Sequence, residues 1–313
     1  MSRFQTTFAK PHPSQIADAE ARLARSNLKS LVSMGQEARS SSDSAEAVDV
    51  IKKQFGLNDG LANQAHTKIV KILQEADLTI NFLGQNWFQS RVTGGYTTCW
   101  ERGTDHHNDI RDDVEEKLFH YKDAKVKHWP TASPATGSYK GGKIVVDQIS
   151  KYGSQLAESN TFNGKARPRY AGVNFAGRPN GAAETWGKSF LILKEHTKHN
   201  ATYIPVDSFS ATKKQLASGV SDYFNMSLLI VNMTPEMRKM LFNKAVTGKC
   251  EMPSASNYIE AHMHCDVSFA RDVEALCVSS TELNGASTQQ RQKMKSNIKL
   301  FQKDFGCPVR YVP

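Results

Sequence analysis

The sequence predicts an α+β protein with a helical N-terminal lobe and a strand-rich core, and three observations carry that expectation. Residues 12–76 are rich in Ala, Leu, Glu and Arg, with apolar side chains at helical spacing. Near residue 78 the texture changes to short apolar, β-branched pieces. Beyond residue 167 these pieces accumulate with no regular strand–helix–strand alternation, which favours segregated helices and strands over a doubly wound sheet.

In chain order, "PSQIADAEARLARSNLKSLVSMGQEAR" places Ile16, Leu23, Leu28, Leu31 and Val32 on a helical period. "SSSDS" at 40–44 interrupts it and supplies N-cap residues for a second helix, "AEAVDVIKKQF". The turn "NDG" precedes a third, "LANQAHTKIVKILQEA". "LTINF" at 78–82 reads as a strand and "RVTGGYTT" as Gly- and Thr-rich ground. "NDIRDDVEEKLFHY" at 108–121 is a short capped helix, and "PTASPATGSYKGG" at 130–142 is a loop. The later strands are "YAGVNF", "SFLILK", "TYIPVD", "SLLIVNM", "YIEAHMH", "VEALCVS" and "VRYV". This divides the chain into a helical region, 1–77, and a second domain, 78–313. The stretch 208–252 resembles an insertion.

Composition excludes several classes. At 39% hydrophobic and 23% charged residues, the 313-residue chain reads as globular, and no apolar run approaches the ~18 residues that cross a bilayer. The start, "MSRFQTTFAKPHPSQ", carries no apolar core of a cleaved signal, so any export is expected by a signal-independent route. Five scattered cysteines without C-x-x-C spacing predict reduced thiols. The net charge of +9 favours acidic or phosphate-bearing partners. The basic residues are dispersed, however, without the dense run and interleaved aromatics of a nucleic-acid surface, and neither nucleic acid nor membrane is expected as a partner.

Most motifs dissolve on inspection. "GSYKGGK" has phosphate-loop spacing, but Ile144 stands where Ser or Thr would hold Mg²⁺. No G-x-G-x-x-G follows a strand. His262 and His264 could ligate a metal with Asp105, His106 and His107, but only the first two must converge, and no metal is assigned. Cys265 would face the core side of its strand and is a poor nucleophile. "YIEAHMHCD" is the informative stretch. As a strand, it sends Tyr258, Glu260, His262 and His264 to one face and Ile259, Ala261 and Met263 to the other. Burying an unpaired carboxylate costs several kcal/mol, so Glu260 is either solvated in a cleft or paired. Ser189 heads an apolar run, and Arg167 and Arg169 directly precede another strand.

Taken together, "ARPRYAGVNF", "GAAETWGKSFLILK", "ATYIPVDS", "NYIEAHMHCDVSFARDVEAL" and "CPVRYVP" follow in an order that resembles a bacterial effector family, the CteC-type ADP-ribosyltransferases, which modify a threonine of host ubiquitin. Upstream, "GGYTT" and "IRDDVEEKLF" resemble that family's Gly-rich stretch and its Arg-x-x-x-Glu-x-x-x-Phe helix; the likeness spans about 78–313. The resemblance implies an ADP-ribosyltransferase-like core, NAD⁺ as co-substrate, ubiquitin as partner and the host cytosol as place of work. It also implies an Arg–Ser–Glu set on Arg167, Ser189 and Glu260, with Arg169 and Arg91 as alternative NAD⁺ arginines. Tyr170, Asn174, Tyr258 and His262 would line the cofactor. The arginine would hold phosphate and Glu260 would stabilise the cationic ribose. Tyr258 stands where arginine-modifying transferases carry a second Glu, which fits a hydroxyl acceptor, with Glu260 or His262 as base. The alternatives are NAD⁺ hydrolysis, another host target, or a non-catalytic basic adaptor.

Overall fold

The structure, a computed structural model, describes residues 43–98, 114, 115, 118, 168–212, 215, 216, 220–251, 254–263 and 266–313. It is an α+β fold built on one large sheet. The strands are β1 (Leu78–Phe82), β2 (Gly95–Tyr96), β3 (Arg169–Val173), β4 (Ser189–Leu193), β5 (Ala201–Ile204), β6 (Ser221–Asp222), β7 (Ile259–Met263), β8 (Val267–Ser268), β9 (Val273–Ser279) and β10 (Val309–Val312). Eight of them form a sheet in the order β10-β9-β4-β1-β3-β7-β5-β6, while β2 and β8 pair separately. Within the large sheet only β9 and β10 run parallel.

The period-two pattern of the strands sorts the two faces. On one lie Leu78, Ile80, Phe82, Ala171, Val173, Leu191, Ile259, Ala261 and Met263, all buried in a single apolar core. Each large aliphatic or aromatic side chain removed from water here contributes about 1.5–3 kcal/mol. The helices cover this face. Residues 43–55 form α1, which delivers Ala47 and Ile51. Helix α2 (Asp59–Glu75) starts at Asn58, whose side chain accepts from the Leu61 N–H, and it buries Ala62, Ala65, Ile69 and Leu73 along one stripe. Because α1 and α2 share this core with the sheet, the expected boundary at 77/78 does not separate two cores among the described residues.

The run "SLLIVNM", expected as a strand, is instead helix α4 (Met226–Asn232), following the short α3 (Gly84–Trp87). A short, mostly buried apolar run has little periodicity to read, and the deciding signal is the Asn225 cap, whose side chain accepts from the Leu228 N–H. Helix α5 (Pro235–Thr247) follows with Thr234 as cap and Pro235 in its first turn, and within the insertion-like stretch both α4 and α5 pack into the main core. Phe242 on α5 stacks on Phe55 of α1 with ring centroids 4.0 Å apart. After α6 (Phe269–Asp272) and α7 (Ser280–Gly285), the long α8 (Thr288–Phe305) begins in a Ser287/Gln290 capping box. It buries Met294, Ile298 and Phe301, and Gly306 in the left-handed region ends it.

Candidate functional site

The opposite face of the sheet is different in kind. Registers of β4, β1, β3, β7 and β5 place Ile192, Thr79, Gly172, Glu260 and Ile204 in one cross-strand row. Asn81, Tyr170, His262, Thr202 and Tyr258 therefore share the face of Glu260. Small apolar clusters flank this row, one around Phe190, Ile192, Ala275 and Cys277 and one around Val114, Leu118, Ile204 and Leu216. Between them runs a buried polar seam.

Glu260 sits at its centre, only 3% exposed. Its Oε1 accepts from His262 Nε2 at 2.8 Å and from the Ser208 backbone N–H at 3.3 Å. Among the described residues its Oε2 meets only the Tyr258 hydroxyl, at a long 3.4 Å. Of the two possibilities read from the sequence, then, Glu260 is paired rather than solvated. His262 is fully buried, with its Nδ1 3.3 Å from Thr202 Oγ1 and the edge of its ring against Tyr170. The carboxylate beside Nε2 puts a hydrogen on that nitrogen, and Thr202 partners the other. Tyr258 accepts from Trp186 Nε1 at 3.1 Å. Burial, then the charges of Glu260 and Asp207, push the Tyr258 phenol well above its ordinary range, so it remains a donor to Glu260. Tyr170 gives its hydroxyl to the buried Glu115 at 2.7 Å.

A loop is bolted over this seam from β1. Thr79 Oγ1 accepts from the Ala182 N–H, and Asn81 accepts from the Ala183 N–H while donating to the Asn180 and Gly187 carbonyls. The fit requires glycine at two points. A Cβ on Gly172 would lie 2.7 Å from the Ala182 Cβ and 3.3 Å from the Tyr258 ring. Gly187, at φ 136°, presses onto the Phe82 backbone, where a Cβ would approach to 2.1 Å.

Sequence expectations meet this site unevenly. Glu260, His262, Tyr258 and Tyr170 come together. Ser189 does not. Its partner in register is Phe82, which puts it on the apolar face of the sheet, the side away from Glu260. There its hydroxyl donates to Glu282 Oε2 at 2.7 Å and accepts from the Ser279 N–H. Arg169 also points to the far side, where it holds Asp266 at 2.7 Å and the Tyr96 carbonyl. Arg91 is exposed and paired with Asp304, and Asn174 closes its own turn by bonding the Arg178 backbone in both directions. Arg167, His264, Cys265, the Asp105–His107 group and "GSYKGGK" lie outside the described residues. Among the described residues no three His, Cys, Asp or Glu side chains converge as metal ligands, and no helix is long and apolar enough to cross a membrane.

Sequence reasoning missed Trp186, Ser208, Thr202 and Glu115. Glu115 stands at the glutamate of the Arg-x-x-x-Glu-x-x-x-Phe helix, and Thr202 carries a legible parity within "ATYIPVDS". Ser208 had no signal. It is buried, and its Oγ has no hydrogen-bond partner among the described residues.

Fold and site thus define a class: an α+β protein whose central antiparallel strand carries a buried Glu–His pair in a hydrogen-bonded chain that reaches the surface at Trp186. The chain belongs to the family described as "Protein of unknown function (DUF3626)", whose model matches residues 105–303. No curated protein matches it.

Proposed function

We propose that this chain is a mono-ADP-ribosyltransferase that uses NAD⁺ as co-substrate and modifies a threonine hydroxyl of ubiquitin. The observation that carries the reading is the asymmetry of the Glu260 carboxylate. Oε1 is anchored by His262 and the Ser208 N–H, while among the described residues Oε2 keeps only the long bond to Tyr258. The ordered likeness of five stretches to ubiquitin-modifying effectors supports the same reading.

In this mechanism the bond between nicotinamide nitrogen and ribose C1″ breaks, and its electron pair leaves with nicotinamide. Oε2 faces the positive ribose, where an oriented carboxylate in a dry site accelerates cleavage by about 10²–10³. The acceptor hydroxyl attacks C1″ and yields its proton to Oε2. In this reading His262, with both ring nitrogens engaged behind Glu260, is the positioning group and Glu260 the base. At 3% exposure Glu260 is reached only when the Asp207–Ser210 turn moves aside on binding. The proposed setting is the host cytosol.

That same burial favours one other reading, in which Glu260 and His262 are a structural pair that fixes strand register and the chain is a non-catalytic adaptor. Incubation with NAD⁺ and ubiquitin, with mass spectrometry of ubiquitin and assay of free nicotinamide, separates these. Wild type is expected to add ADP-ribose and Glu260→Gln to lose at least about a hundredfold in rate. Nicotinamide release with unmodified ubiquitin indicates hydrolysis or another acceptor. No release at all leaves the structural pair.

A further inference from the structure

Trp186 is 48% exposed, yet its indole is held in place. It closes the single turn Glu184–Trp186, whose ends are fixed by the Trp186 N–H on the Ala183 carbonyl and the Gly187 N–H on Glu184. Asn81 bonds the carbonyls of Asn180 and Gly187 on either side, and Arg178 pairs with Glu184 at 3.4 Å. The ring nitrogen is tied to Tyr258, which in turn reaches the free oxygen of Glu260. Surface tryptophans usually retain rotamer freedom that a ligand must quench; this one has already lost it. Its position is equally specific, two hydrogen bonds from the carboxylate, with almost half of the residue in solvent.

We propose that the exposed face of Trp186 is a stacking platform for a planar aromatic heterocycle of the ligand, one of the two base rings of NAD⁺, with Tyr258 coupling that platform to Glu260. The proposal rests on the reading of the Glu260 site as an NAD⁺ site. Indole presents a large negative face, and both the pyridinium and the adenine ring offer a flat partner to it. Stacking of a base on an aromatic side chain is worth about 1–3 kcal/mol by alanine substitution, which corresponds to roughly 5- to 150-fold in Kd.

The test is a titration of the full chain with NAD⁺, nicotinamide mononucleotide and AMP, for wild type, Trp186→Ala and Trp186→Phe. NAD⁺ is expected to bind wild type, to bind Trp186→Ala about tenfold or more weakly, and to bind Trp186→Phe nearly as well, since a ring face remains. Whichever mononucleotide shows the same loss identifies the stacked ring. The difference in tryptophan fluorescence between wild type and Trp186→Phe should be quenched by NAD⁺, and this reports on stacking even if the alanine variant folds poorly. Equal NAD⁺ affinity of wild type and Trp186→Ala, with Glu260→Gln inactive, overturns the platform and leaves the transferase reading standing. No NAD⁺ binding by wild type overturns both.

Discussion

Replacing Ser189 by alanine separates a catalytic serine from a structural one. Ser189 is fully buried, and its hydroxyl makes two hydrogen bonds: it donates to Glu282 Oε2 at 2.7 Å and accepts from the Ser279 N–H at 3.1 Å. The first bond involves a carboxylate and is worth about 1.5–3 kcal/mol. Its loss strands no carboxylate, because Glu282 retains the Gly84 and Lys188 N–H groups at 2.9 and 2.7 Å. The second leaves a backbone N–H in the interior without its acceptor, which costs about 1–3 kcal/mol. Neighbouring effects add incompletely, so the expected loss is about 2–4 kcal/mol. It should appear as a lower urea midpoint with an unchanged slope. Since Ser189 lies on the face of the sheet away from Glu260, nicotinamide release per folded molecule should stay within about twofold of wild type. A variant of wild-type stability with abolished turnover would refute the geometry and restore the Arg–Ser–Glu set.

Other expectations follow from the same contacts. Gly172→Ala should cost about 1–3 kcal/mol by overpacking against Ala182 and Tyr258, and Ala182→Gly in the same chain should recover most of that in the urea midpoint. Glu260→Ala, which the sequence alone would suggest as a clean knockout, should instead destabilise by about 3–5 kcal/mol because His262 and the Ser208 N–H lose their shared acceptor; thermal melts against Glu260→Gln check this. Burial holds the His66 imidazole below its ordinary range, so its stabilising contribution is present above about pH 6.5 and is lost as pH falls below that value. The urea midpoint should therefore fall from pH 7.5 to 5.5, and less steeply in His66→Gln. Burial pushes the Cys277 thiol up to about 11 and raises that of Cys307, so iodoacetamide at pH 8 should label neither in the native state while labelling both in urea.

Much of the fold was legible because one face of the sheet is mostly apolar. "LTINF", "SFLILK" and "VEALCVS" alternate or run apolar over strand lengths, and they form β1, β4 and β9. "SLLIVNM" failed because it is a short run buried over most of its length, with too few residues to show a period. The site was half legible. Parity within "YIEAHMH" located the row of Tyr258, Glu260 and His262, because a strand fixes direction two residues at a time. Parity could not relate one strand to another. Whether Ser189 shares a face with Glu260 depends on the registers of β4 on β1, β1 on β3 and β3 on β7, and nothing local encodes those. Thr79 and Asn81 illustrate a related gap. Their alternation with Leu78, Ile80 and Phe82 was visible, but a polar row inside a sheet is explained only by the loop that it fastens.

The position of β1 has a practical consequence for anyone trimming this chain. The recognised family span opens at residue 105, whereas the strand that pairs with both β3 and β4 is contributed by residues 78–82. A fragment cut to the family limits would open the sheet through its middle, exposing two raw hydrogen-bonding edges where the intact molecule has none, and such edges recruit other chains. Expression boundaries drawn from the family match alone should yield aggregates, and those that begin ahead of residue 43 should not.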